Sequence, residues 1–325
     1  MLLNVAALIV GLLVLVVAAD KFIIGTVGIA KKFGISPLLI GLTIVGLGTS
    51  APEILVSAIA SWQGKAGLAI GNALGSNIAN IGLILGLTAL ISPLTFNSGL
   101  LKRELPILMG VSLICYFMAF DGLGVVDGIL MLLMLFTFLV WLIRSAKKAG
   151  QKELLDDPLE QELIAEMPES VSETKAWMLF AFGLFGLLAS SRLLVWAAVN
   201  IAEDFGVSDL VIGLTIVALG TSLPELAASI SSVLKKEDDL AVGNIIGSNM
   251  YNLLAVYSLP GLIAPGPVAE SVISRDFPVL LALTGVLFVF GYGLTKSGRI
   301  NRLEGVGLLL AYCGYQWVIY QSTMV

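Results

Sequence analysis

The chain has 325 residues, of which 58% are hydrophobic and only 13% charged, with a formal net charge of −5. A soluble globular domain carries about 25% charged residues, so the composition points to a polytopic membrane protein and away from an enzyme or a nucleic-acid binder. Histidine is absent, which removes the commonest transition-metal ligand and the usual proton shuttle near neutral pH. Cys115 and Cys313 both lie in apolar segments and give neither a disulfide framework nor a metal-ligand spacing.

Residues 1–19 are apolar and end in VVAAD. A secretory signal would need a basic n-region, which is missing, so this stretch reads as the first spanning helix. Apolar runs long enough to cross roughly 30 Å of hydrocarbon fall at 2–24, 37–60, 68–92, 104–120 and 126–144. A second set falls at 176–200, 209–233, 241–264, 276–294 and 303–322. The expected fold is an all-α polytopic membrane protein with ten transmembrane helices. A first five-helix unit covers 1–145, an acidic linker 146–175 and a second five-helix unit 176–325.

Residues 33–93 align with 205–265 at a constant offset of 172, without a gap, and 29 of the 61 positions are identical. Five spans per half is odd, so the second half enters the membrane inverted relative to the first. Loop charge points the same way. The loops after odd-numbered helices and the linker hold fourteen Lys and Arg, among them Lys31, Lys32, Lys102, Arg103, Arg144, Lys235 and Arg302. Those after even-numbered helices hold Lys65 and Arg275. By the positive-inside rule the odd loops and the linker 146–175 are cytoplasmic and both termini lie outside. Segment 151–170 holds seven acids and two prolines. It reads as a solvated tether, since it lacks the charge-and-glycine pattern of a calcium hand.

The first shared motif is GLGTSAPE at 46–53 and ALGTSLPE at 218–225. Proline removes a backbone donor and disfavours helical geometry before it, so each helix should break mid-membrane. Carbonyls of residues 46–49 and 218–221 would then be freed. Irregular backbone at that depth survives where protein buries it or where it lines a hydrated cavity. Those carbonyls, the hydroxyls of Thr49, Ser50, Thr221 and Ser222, and the carboxylates of Glu53 and Glu225 are hard oxygen donors suited to Ca²⁺ or Na⁺. Intramembrane carboxylates are costly and mark functional sites. A plainer alternative is a capping box, with Ser50 or Ser222 at the N-cap and Glu53 or Glu225 at N3.

The second motif is GNALGSNIAN at 71–80 and GNIIGSNMYN at 243–252. Ser76 and Asn80, like Ser248 and Asn252, are four apart and share a helical face, which places them as candidate ligands. Asn72 and Asn244 are possible ones, while Asn77 and Asn249 read as interhelical hydrogen-bond formers. The spacing of Gly71 and Gly75, and of Gly243 and Gly247, suits close helix packing. Asp20, Lys21 and Arg192 lie toward helix ends, where side chains reach the interface. Arg103-Glu104 and Arg275-Asp276 recur as loop-anchoring pairs or part of an access path.

These paired motifs resemble the two alpha-repeats of the sodium/calcium exchanger superfamily, in its short bacterial calcium/sodium antiporter branch. The resemblance covers essentially the whole chain. It implies an inner-membrane antiporter that exports Ca²⁺ against the influx of about three Na⁺, with no cofactor and no obligatory protein partner. By position it makes Glu53 and Glu225 the shared carboxylates, with oxygens from Thr49, Ser50, Thr221 and Ser222 and the carbonyls of Gly46 and Ala218. Ser76 and Ser248 would line sodium sites, and Asn80 and Asn252 the central site. The helices at 2–24 and 176–200 would slide across the other eight. Some members carry aspartate where this chain has Asn252. Two glutamates still neutralise one Ca²⁺, but three Na⁺ would leave net positive charge. Exchange driven by H⁺ or K⁺ within the same superfamily is the alternative. A channel has no need of inverted halves, and a scaffold none of paired buried carboxylates.

Overall fold

The computed structural model describes residues 2–32, 46–96, 99–148, 171–234, 236, 238–292 and 298–322. The acidic segment 151–170 and the opening of the first repeat, 33–45, lie outside these residues, and so do the expectations placed on them.

Long apolar runs, whose backbone groups in lipid can be satisfied only within the chain, make it mostly helical. The first half contains α1 (Leu2–Lys32), α2 (Gly46–Thr49), α3 (Ala51–Trp62), α4 (Ala66–Ala79), α5 (Gly86–Ile91), α6 (Gly99–Met118) and α7 (Val125–Lys148). The second contains α8 (Glu173–Phe205), α9 (Asp209–Ile212), α10 (Ala218–Thr221), α11 (Leu223–Leu234), α12 (Asp238–Tyr251), α13 (Ser258–Ile263), α14 (Phe277–Tyr292) and α15 (Arg302–Ser322). π-Helical turns at Asn80–Leu85, Gly213–Val217 and Asn252–Val256 join α4 to α5, α9 to α10 and α12 toward α13. A fourth, Val272–Asp276, leads into α14.

Among the described residues five helices are long and apolar enough to cross a membrane, or six if the broken rod Asp209–Thr221 plus Leu223–Leu234 counts as one span. Large apolar side chains stand exposed on their outer faces, including Leu13, Val17, Phe136, Phe182 and Phe185. In a bilayer that surface faces lipid. The first helix runs eight residues beyond the expected 2–24, because its last turns keep packing on the start of α8. Gly28 faces Ala176 there, and Lys32 pairs with Glu173.

Two apolar cores hold the elements together. The larger joins α4, α6, α7, α12, α14 and α15 through residues such as Ile78, Leu105, Leu254, Tyr257, Phe277 and Tyr315. The smaller joins α1, α3 and α8 through Leu15, Val56, Leu187 and Val195. Backbones of α1 and α8 touch. A Cβ at Gly25 would overlap the backbone nitrogen of Phe180, and one at Gly183 that of Phe22.

The expectation of a purely helical chain needs one correction. Leu94–Phe96 and Gly298–Ile300 pair as a short antiparallel ribbon, Leu94 opposite Ile300. Two interhelical loops meet there and satisfy each other's backbone groups, as buried loop backbone must. Leu123 and Gly266 form a matching isolated bridge.

Candidate cation site

The local geometry begins with the two breaks. Ser50 separates α2 from α3 at φ −84°, ψ 1°, and Ser222 separates α10 from α11 at φ −86°, ψ 6°. These near-identical values fall in the sparsely occupied bridge region, and the prolines two residues on lie in the first turns of the new helices, where a missing N–H leaves no helical bond unmade. New helices start at once, since Ile54 N–H donates to Ser50 O and Leu226 N–H to Ser222 O, each at 3.1 Å. Glu53 and Glu225 therefore sit in first turns, where unpaired N–H groups favour negative charge.

Both glutamates are enclosed, at 0% and 1% exposure. Neither joins an ion pair among the described residues, and each keeps one oxygen, Oε2, with no hydrogen-bond partner. Ser222 Oγ donates to Glu53 Oε1 at 3.4 Å, so a residue of the motif's second copy touches the carboxylate of its first. Ser248 Oγ donates to Glu225 Oε1 at 3.3 Å. Asn72 braces the cluster. Its Nδ2 donates to Glu53 O at 3.2 Å and to Ser57 Oγ at 2.9 Å, and its Oδ1 accepts from Thr221 Oγ1 at 3.1 Å. Ser76 Oγ lies 3.5 Å from both Ala218 O and Thr221 Oγ1.

The network thus gathers Glu53, Asn72, Ser76, Ala218, Thr221 and Ser222, with Glu225 and Ser248 as an adjoining pair. Thr49 and Ser50 are buried at the first break, and Gly46 opens α2. Asn80 and Asn252 are buried, and each is the first residue of a π turn, a distortion common at functional sites. Asn244 is only half-buried, its Nδ2 without a partner.

Three expectations change. The capping box does not form at Ser50, whose hydroxyl makes no cap bond and has no partner. The Ala218 carbonyl is not freed, because Ser222 N–H still donates to it at 3.1 Å; the rod bends only after that bond, and the second lone pair faces the Ser76 hydroxyl at 3.5 Å. The glycine pairs differ. Gly71 and Gly75 press on Leu210, Gly213, Leu214 and Ala218, whereas a Cβ at Gly247 would meet open space among the described residues. Ser57 was not anticipated as a partner of the site, although its identity with Ser229 in the repeat was a usable signal.

The peripheral polar groups resolve simply. Arg275 and Asp276 pair at 2.7 Å, with Tyr315 O–H donating to Asp276 Oδ1 at 2.9 Å. Glu104, at the matching position, is buried while Arg103 is exposed. Asp20 and Lys21 pair with each other at 2.8 Å on the surface, and Arg192 is exposed.

Among the described residues no three His, Cys, Asp or Glu side chains cluster. The donors brought together are two carboxylates, hydroxyls and amide or backbone oxygens, a hard set that suits Ca²⁺ or Na⁺ and not zinc or copper. Long apolar helices with exposed apolar faces around enclosed carboxylates and hydroxyls are the features of a membrane protein with a candidate site for hard cations.

Comparison with known proteins narrows that class. The family described as sodium/calcium exchanger protein matches residues 3–144 and 175–321. The chain is 50% identical to the putative antiporter CaxA of Alkalimonas amylolytica over 314 residues, 96% of this chain and 97% of the relative. It is 43% identical to the inner membrane protein YrbG of Escherichia coli K12, covering 95% of this chain and 94% of the relative. A solved structure of the sodium-calcium exchanger NCX_Mj superposes with TM-score 0.65 at 32% identity, over 96% of this chain and 97% of that one. The chain belongs to the sodium/calcium exchanger family.

Proposed function

We propose that this protein is a secondary antiporter that exports Ca²⁺ in exchange for Na⁺ by alternating access, with Glu53 and Glu225 as the shared charged ligands. The observation that carries this reading is the enclosed pair of glutamates without a basic partner among the described residues. Buried carboxylates need compensating charge, and a Ca²⁺ ion neutralises two of them. Thr49, Ser50, Ser76, Thr221, Ser222, Ser248, Asn80 and Asn252, with the carbonyls of Gly46 and Ala218, complete the proposed ligand set.

Loop contacts support ten spans in two inverted halves. Under that topology outer segments should meet only outer ones, and inner only inner. Asn4 bonds Asp204, Lys65 pairs with Asp209, Leu123 pairs with Gly266, and Arg275 bonds Ser322; all eight lie at expected outer ends. Lys32 pairs with Glu173, Thr95 bonds Asp238, Leu94 pairs with Ile300, and Tyr292 bonds the Lys102 carbonyl; all eight lie at expected inner ends. The offset of 172 also relates contacts beyond the aligned repeat. Gly11 packs on Leu194, and Gly183 on Phe22; adding 172 to 11 and to 22 gives 183 and 194.

The test is Ca²⁺ uptake into proteoliposomes holding the purified protein, with Na⁺, K⁺ or H⁺ gradients imposed one at a time. An outward Na⁺ gradient alone should drive uptake. Uptake that ignores Na⁺ and follows K⁺ or H⁺ would replace the counter-ion, and no coupled uptake under any gradient would overturn antiport.

A further inference from the structure

An asparagine that ligates a cation must present its oxygen, because its NH₂ group repels positive charge. Its two ends have nearly the same shape, so something has to fix which end faces the ion. At Asn80 the fixing partner is visible. Its Nδ2 donates to Asn249 Oδ1 at 3.0 Å, which occupies the nitrogen end and leaves Asn80 Oδ1 without a protein partner. Both residues are at most 1% exposed, so water does not compete for the bond.

The repeat supplies a mirror-image pair. Adding 172 to 80 gives Asn252, and subtracting 172 from 249 gives Asn77. That pair is not made. Among the described residues both amide atoms of Asn77 lack partners, as does Asn252 Oδ1, although both residues are buried to within 1%. A buried amide with neither end bonded is strongly disfavoured, so Asn77 is expected to find its bond in another state of the protein. In a transporter built from inverted halves, each half adopts in one access state the geometry the other holds in the opposite state.

We propose that Asn249 and Asn77 are positioning residues acting in alternation. Asn249 orients Asn80 when the site is open to one side of the membrane, and Asn77 orients Asn252 when it is open to the other. The assignment rests on the antiport reading. It goes beyond that reading by giving two non-ligand amides a role in ion affinity that depends on the side of the membrane.

The test measures half-saturating Ca²⁺ on each face, using right-side-out and everted vesicles. Asn249→Leu keeps volume and loses the acceptor. It should raise the half-saturating concentration about 10-fold on one face, the worth of one hydrogen bond, and leave the other face within about 2-fold. Asn77→Leu should do the same on the opposite face. Asn249→Asp retains the acceptor and adds a charge that attracts the cation, so it should bring half-saturation on that face back to or below the wild-type value, and Asn249→Ala substitutes if the leucine variant does not accumulate. Equal shifts on both faces, a lowered maximal rate with unchanged half-saturation, or an aspartate variant as impaired as the leucine one would overturn the proposal. Failure of the antiport reading itself would show separately, as absent Ca²⁺ exchange in the unmodified protein.

Discussion

Glutamine at Glu53 keeps the shape of the side chain and deletes one of two enclosed charges. Glu53 has no exposure and no ion-pair partner among the described residues, and one hydroxyl, that of Ser222, donates to it. The charge lost is thus one the bound cation would depend on. Removing one member of a buried charge pair costs about 3–5 kcal/mol, and tenfold in affinity corresponds to about 1.4 kcal/mol. Ca²⁺ binding should weaken roughly 100- to 4,000-fold. The ion-free protein should respond in the opposite direction, since it no longer encloses a carboxylate with an unbonded oxygen. Radiolabelled Ca²⁺ uptake and thermal melting in detergent read the two effects together. Ca²⁺ at a hundredfold excess over its dissociation constant stabilises the unmodified protein by about 2.7 kcal/mol. The Glu53→Gln protein should melt higher than the unmodified protein without Ca²⁺ and gain at most about 0.4 kcal/mol from that concentration. Wild-type exchange together with undiminished Ca²⁺ stabilisation would refute the assignment, and Glu225→Gln carries the same expectation.

Gly183→Leu should destabilise the protein by about 1–3 kcal/mol, because its new side chain meets the Phe22 backbone, which cannot swing aside; detergent melting measures the loss. Tyr315→Phe removes a hydrogen bond to the Asp276 carboxylate and should cost about 1.5–3 kcal/mol while Ca²⁺ exchange persists, and abolished exchange would show that the cluster belongs to the transport path. Single cysteines at Asp121 and Pro267 should label from outside intact cells, and those at Thr95 and Arg299 only after permeabilisation; labelling of one from each pair from the same side would sink the ten-span topology. With about three Na⁺ per Ca²⁺ one charge crosses per cycle, a drive of about 2.3 kcal/mol per 100 mV, so an inside-negative potential should speed Ca²⁺ export, and a flux indifferent to clamped potential would exclude that stoichiometry.

Most helix limits were legible because a lipid-facing helix is apolar outside as well as inside. The expected 209–233 and 303–322 compare with Asp209–Leu234 and Arg302–Ser322. The breaks at Ser50 and Ser222 were legible because proline has a defined steric consequence. The π turns at Asn80 and Asn252 were not, since one extra residue in a turn leaves no residue signature. Nor was the way the motifs interlock. A repeat in one sequence reveals which positions are equivalent, but not which are adjacent. Asn72 reaching Thr221, and Ser222 reaching Glu53, depend on how the two halves pack.

That packing carries an asymmetry the repeat alone would not suggest. Ser50 and Ser222 share residue type, backbone angles and the proline two residues on, yet the Ser222 hydroxyl bonds the other half's glutamate while the Ser50 hydroxyl has no partner among the described residues. Ser76 lies against Ala218 and Thr221 across the halves, while its equivalent Ser248 bonds Glu225 within its own half. If the protein works as the proposed antiporter with two inverted halves, equivalent residues in unlike surroundings are what alternating access requires. If the two inverted halves held identical contacts, the site would be equally open or equally closed toward both sides, and no gradient could be coupled through it. Near-identical local sequences make the two asymmetric arrangements close in energy, so that a bound ion can shift the balance between them. On the antiport reading, the shared chemistry of the two motif copies and their unequal contacts are parts of one requirement, the first for binding the ion and the second for releasing it on the other side.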